Sequence, residues 1–144
     1  MSPSLSNTQK PNLWTYACQQ YPGYKTELLA FQDKGLSVND LLTLSYACRY
    51  SLSMDKTQWE ALACGRTRKL LERVRCIRLG LSKTSPLREA ALGWELTLER
   101  WDLHLLEQCL HPTDKWQHQW PPQSERLTSE ERLQMEALVR DLST

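Results

Sequence analysis

The chain has 144 residues, with 18 Lys+Arg against 17 Asp+Glu, so it is one domain's worth, and its formal charge of +1 implies neither a polyanion coat nor an acidic tail. Its 26 leucines stand against 3 valines and 1 isoleucine. β-Branched residues favour strands and leucine suits helices, so an all-α fold is expected and a large sheet is excluded.

Residues 1–11 are rich in Ser, Pro, Asn and Gln, lack apolar periodicity and read as a disordered tail. They carry no basic stretch leading into an apolar one, and no apolar run in the chain approaches the ~18 residues of a membrane span. Asn12 can cap a short helix through Leu13, Trp14, Ala17 and Cys18, with Tyr21, Pro22 and Gly23 closing it in a turn. A second helix carries Leu28, Leu29 and Phe31 as far as Gly35, which suits the position just past a helix end. The third starts near Asn39 and buries Leu41, Leu42, Leu44, Ser45 and Cys48; its poor polar face predicts a central position.

Asp55 caps a fourth segment whose Trp59, Leu62, Ala63, Leu70, Val74, Ile77 and Leu81 fall on one stripe, with Gly65 placed to kink or divide it. Ser85 then Pro86 is an N-cap followed by the first helical position, and opens a helix of about 25 residues to Leu110. One stripe of that helix holds Leu87, Ala91, Trp94, Leu98, Trp101 and Leu105. Leu92, Leu96, Leu103 and Leu110 lie nearly opposite, which predicts a spine packed from two directions. Residues 111–127 hold prolines and two tryptophans without periodicity and read as a connection. Thr128 and Glu131 form a capping box for an amphipathic C-terminal helix over 128–144, with Met135, Leu138 and Leu142 as its stripe. The helical domain proper spans 12–110, and the whole is expected to be a compact bundle of five or six helices around a long central one.

The five cysteines lie at least twelve residues apart, so no CxxC pair exists, and they read as free thiols in a reducing, cytoplasmic compartment; Cys18, Cys48, Cys76 and Cys109 fall in apolar stretches and read as core. Between Arg66 and Lys83 lie seven cations and one anion, Glu72. Arg66, Arg68, Lys69, Arg75 and Arg78 are therefore candidate contacts for a nucleic acid or an acidic partner. At 100° per residue they point around most of the helix, with Arg66 and Arg73 bordering the apolar stripe and Arg68 and Arg75 roughly opposite it. The next helix is acidic: Glu95, Glu99 and Asp102 share one face, a disfavoured arrangement unless cations such as Arg66, Arg73 or Arg78 face it, so an internal charge ladder is the plainer reading.

The same carboxylates offer a metal or an acid–base pair little support. Glu-x-x-His is missing, and His104, His111 and His118 cannot share a helical face because Pro112 intervenes. No Gly-rich phosphate loop, nucleophile elbow or His-Glu-x-x-His occurs, so no catalytic, cofactor-binding or metal residue is assigned and no cofactor is expected. Asp33 falls where a carboxylate meets the negative end of a helix, and Gln32, Asp33 and Asn39 form a candidate polar junction that is either capping or a ligand corner. Trp116 and Trp120, in the connection, either anchor a partner or fold back over a helix end.

The run Leu13-Trp14-Thr15-Tyr16-Ala17, with Tyr21-Pro22-Gly23, Leu28-Leu29-Ala30-Phe31-Gln32-Asp33 and Val38-Asn39-Asp40-Leu41-Leu42, resembles the opening of an uncharacterised family of small proteobacterial proteins, a domain of unknown function. The likeness extends through the basic helix to about Arg100. Departures are Tyr46, where that family would place tryptophan, and Arg73-Val74-Arg75, where a Pro-Leu-Arg run is typical. The resemblance implies a bacterial cytosolic helical protein and brings no activity, substrate or cofactor. The residues thus predict a protein that binds instead of catalysing: an interaction or accessory module with a protein partner and no membrane contact, of oligomeric state the sequence does not set. Nucleic-acid binding through helix 66–83 is the alternative. A third reading, a small-molecule or metal-dependent enzyme, requires Asp33, Glu95 or Glu99 to meet a histidine in a pocket.

Overall fold

The N-terminal cap sets where the first helix begins. In the computed structural model, which describes residues 10–144, the Asn12 carboxamide accepts from the Thr15 amide at 2.8 Å and opens α1, Leu13–Asp33. Most of the tail expected over 1–11 lies outside the described residues; Pro11 is held by the Tyr46 hydroxyl, which donates to its carbonyl at 2.7 Å. The break expected at Tyr21-Pro22-Gly23 is a kink: Pro22 stays helical and Tyr24 (φ −129°, ψ 18°) leaves the helical region, so two helices meet end to end within α1. Both halves bury apolar residues, Leu13, Tyr16 and Ala17 before the kink and Leu28 and Phe31 after it. Gly35, at φ +97°, ends the helix in the left-handed region.

Ser37 caps α2, Val38–Tyr50, by accepting from the Asp40 amide. Every residue from Asn39 to Ala47 is buried, because α1, α5 and α6 pack around this helix. Two short strands follow from its end: β1, Leu52–Met54, pairs antiparallel with β2, Leu110–Pro112, Leu52 facing Pro112 and Met54 facing Leu110. Asp55 caps α3, Lys56–Ala63, and Gly65 separates it from α4, Arg66–Gly80, so the fourth expected segment is two helices. Ser85 and Pro86 start α5, Pro86–Gln108, which lies against α4 and also touches α1, α2 and α3. The connection carries a 3-10 turn, Ser124–Arg126, before the capping box of Thr128 and Glu131 opens α6, Ser129–Ser143. Within α6, Met135, Leu138, Val139 and Leu142 are buried. The Tyr16 hydroxyl donates to the Leu142 carbonyl at 2.9 Å and lies 3.0 Å from the Ser45 hydroxyl, tying α1, α2 and α6 together. The fold is compact and all-α, with six α-helices among the described residues.

Two faces depart from expectation. On α4 the apolar stripe does not turn inward: Leu70 and Ile77 are exposed, and the residues it buries are Arg68 and Leu71. On α5 neither expected stripe forms the buried face: Ala91 of one and Leu103 of the other are buried beside Glu95, Asp102 and Leu106, while Leu87, Trp94, Trp101, Leu92 and Leu96 are exposed. The four cysteines read as core are not buried either. Cys18 and Cys76 are exposed, Cys48 and Cys109 half-buried, and all five thiols are free.

Candidate functional site

The inward turn of α4 is explained by charge. Arg68 is 8% exposed and sits between two carboxylates that are 1% exposed, Asp40 on α2 and Asp102 on α5. Its guanidinium grips Asp40 through both terminal nitrogens, the longer bond being 3.1 Å, and its Nε donates to Asp102 at 2.9 Å. Burial opposes the charge on Arg68, but the two carboxylates overcome that and hold its pKa above the ordinary guanidinium value. One cation against two anions leaves an excess negative charge, which neutral donors spread: Trp59 Nε1 donates to Asp40 at 2.8 Å and Asn39 Nδ2 to Asp102 at 3.0 Å. Asp40 also lies in the first turn of α2, where the helix dipole favours a carboxylate.

Next to this cluster runs a second layer nearer the surface. Arg78 Nε contacts both Glu95 oxygens, at 2.8 and 3.1 Å, and Arg75 donates to Glu99 at 3.2 Å with Glu95 3.8 Å away. Burial pushes the Glu99 pKa up and Arg75 partly offsets it; burial, with Glu99 adding to it, also raises that of Tyr21. The cations at 68, 75 and 78 face the anions at 95, 99 and 102, so the α4–α5 hairpin has a charged seam where most helical hairpins have an apolar one. Of the cations suggested from sequence as partners for this ladder, Arg78 takes that place and Arg66 and Arg73 do not.

Beside the seam opens a groove of about 900 Å³, its floor including Asn39, Asp40 and Arg68 and its apolar walls Trp14, Leu92 and Leu96. Gln32 lines it. Asp33 is exposed and pairs with nothing among the described residues, so the candidate junction of Gln32, Asp33 and Asn39 is not one cluster: only Asn39 enters the buried network. No histidine lines the groove, so Glu95 and Glu99 have none beside them, and among the described residues no group of His, Cys, Asp or Glu is placed to hold a metal ion.

Of the remaining candidate contacts, Arg66 and Lys69 are exposed on the outer side of α4, whereas Arg68 is in the core and Arg75 and Arg78 are in ion pairs. Trp116 packs half-buried against the core, with its Nε1 unpartnered. Trp120 is 44% exposed, with the Arg132 guanidinium over its ring. His118 lies edge-on to both tryptophans, and burial lowers its pKa. Asp40 and Trp59 are the members of the network that sequence reading did not single out. The available signal was a carboxylate, Asp40, inside a run with no polar face, since a buried charge demands a partner.

The opposite side of the hairpin is apolar. Leu70, Val74 and Ile77 of α4, Leu81 just past its end, and Leu87, Leu98, Trp94, Trp101 and Leu105 of α5 all lie there, exposed or half-buried, with Trp94 64% and Ile77 60% exposed. The hairpin is thus inverted, charged within and apolar outside.

Fold and site together define a small helical domain built around a buried arginine–carboxylate network. The chain belongs to a family described as "Protein of unknown function (DUF2390)", whose model matches residues 12–106. Comparison with curated proteins and with solved structures found no match. No helix of the described residues is long and apolar enough to cross a membrane.

Proposed function

We propose that this domain is a non-enzymatic protein-interaction module that docks through the outer face of the α4–α5 hairpin. The observation that carries this is the inversion. Leucine, isoleucine and tryptophan side chains along one side of the hairpin stay exposed or half-buried although the chain has charged residues it sends inward. Exposed apolar side chains grouped on one face mark an interaction site. Tryptophan is also the residue most enriched among those that dominate binding energy. The five free cysteines fit a reducing cytoplasm, and the family likeness fits a bacterial one.

Nucleic-acid binding through helix 66–83 is less well supported. Arg68, Arg75 and Arg78 are engaged by carboxylates, leaving Arg66, Lys69, Arg73 and Lys83 for phosphates. Hydroxyl-radical footprinting of Trp94 and Trp101 tests the reading by comparing the purified protein with the same protein in extract of its native cells. Both indoles are expected to be labelled when pure and protected in extract. Equal labelling in the two samples, or protection that ribonuclease and deoxyribonuclease abolish, overturns it.

A further inference from the structure

Resting on that reading, we propose that the occupant of the α4–α5 face is a single amphipathic helix of another protein, apolar on one side and flanked by carboxylates. The first reason is spacing. On α5 the outward residues Leu87, Trp94, Leu98, Trp101 and Leu105 step by seven and then alternately by four and three, and on α4 Leu70, Val74 and Ile77 step by four and three. That alternation averages 3.5 residues, the period of side chains that interlock with another helix along a coiled-coil seam. The ion pairs of Arg68 with Asp102 and Arg78 with Glu95 fix the antiparallel register, which brings Leu70 level with Trp101 and Ile77 level with Trp94. Two ridges of large side chains therefore run side by side, and a third helix fits along the trough between them.

Charge gives the partner its sign. Arg66, Lys69 and Arg73 are exposed along the outer edge of α4 beside the apolar stripe, with no ion-pair partner among the described residues. The far edge of the face, on α5, presents Ala90, Thr97 and His104, and no carboxylate. A second copy of this chain therefore fits poorly. Turned face to face, it sets the cations of α4 either against each other or against an edge with no anion to receive them. A lipid surface fits less well too, because a membrane-lying apolar face is bordered by cations on both sides and here they border one. A helix bearing Glu or Asp beside its leucines satisfies both the ridges and the basic edge.

The test uses a labelled peptide of three heptads with Leu at the two seam positions and Glu at the positions flanking them; like charges there keep it from pairing with itself. Fluorescence anisotropy is expected to show binding that weakens with added salt and is roughly tenfold or more tighter than for the matched Lys peptide. R66E/R73E, both at exposed positions, is expected to reverse the preference, and Trp94→Ala to weaken both peptides by about tenfold or more. Circular dichroism establishes that each variant keeps its fold. Equal affinity for the Glu and Lys peptides overturns the proposal, as does no binding of either. Concentration-dependent dimerisation that protects Trp94 without peptide, or uptake onto anionic vesicles that does so, also overturns it. If Trp94 and Trp101 are protected in native extract while the Glu peptide fails, the acidic-helix partner alone falls; if they stay open in extract, the docking surface falls with it.

Discussion

Replacing Arg68 with methionine should destabilise the protein severely. Methionine keeps much of the apolar stem but removes three charged hydrogen bonds, leaving Asp40 and Asp102, each 1% exposed, with only Trp59 Nε1 and Asn39 Nδ2 as side-chain donors. Breaking a buried ion pair on one side costs roughly 3–5 kcal/mol. Two carboxylates are stranded here, but neutral donors remain, so the expected loss is about 4 kcal/mol at pH 7. For a domain of this size that is a fall of ~8–16 °C in melting temperature. Urea unfolding followed by circular dichroism at pH 7 measures this. The triple variant Asp40→Asn, Arg68→Met, Asp102→Asn, which removes every charge of the cluster, should recover at least half of the loss. A loss in Arg68→Met below about 1 kcal/mol would refute the view that charge turns this face of α4 inward.

Removing outward apolar groups should leave stability within about 0.5 kcal/mol, since Ile77→Ser and Trp94→Ala take away surface that is already in water; denaturant midpoints check this. Gly35→Ala should cost about 1–2 kcal/mol in the same assay, because its φ is +97° and the added Cβ meets Arg126 Nη1 at 3.1 Å. His118, whose pKa burial lowers, favours the neutral ring in the fold. Its contribution is present above the unfolded value near 6.5 and lost as pH falls below it. His118→Phe should therefore flatten the stability profile between about pH 5 and 7, as read by thermal unfolding. Thr128→Ala breaks the capping box, in which the Thr128 hydroxyl accepts from Glu131 N at 3.1 Å and Glu131 accepts from Thr128 N at 2.9 Å, and should cost about 1 kcal/mol.

The sequence by itself determined what is local. Asn12, Asp55, Ser85–Pro86 and Thr128/Glu131 open their helices where their side chains can satisfy free amides three residues or fewer ahead, and Gly35 ends one where only glycine turns without strain. Those interactions close within a turn of chain, so residue order reveals them. The depth of α2 was legible too, from its lack of a polar face. The break near Pro22 was legible as well, but it comes two residues later, at Tyr24, where the chain kinks in place of the expected turn.

Which way α4 and α5 face was decided only by the tertiary structure. Periodicity gives each helix an apolar stripe, and by that rule Leu70, Val74 and Ile77 should be inside and Arg68 outside. The rule inverts because Arg68 meets Asp40, 28 residues away, and Asp102, 34 away, and a buried charge is stable only when all its partners arrive together. Glu95 and Glu99 could be paired with cations by charge alone, but the register that chooses Arg75 and Arg78 over Arg66 and Arg73 exists only once the hairpin has closed. Hydrophobic pattern belongs to single helices, whereas charge satisfaction belongs to their assembly, and in this protein the second decides which surface is left exposed.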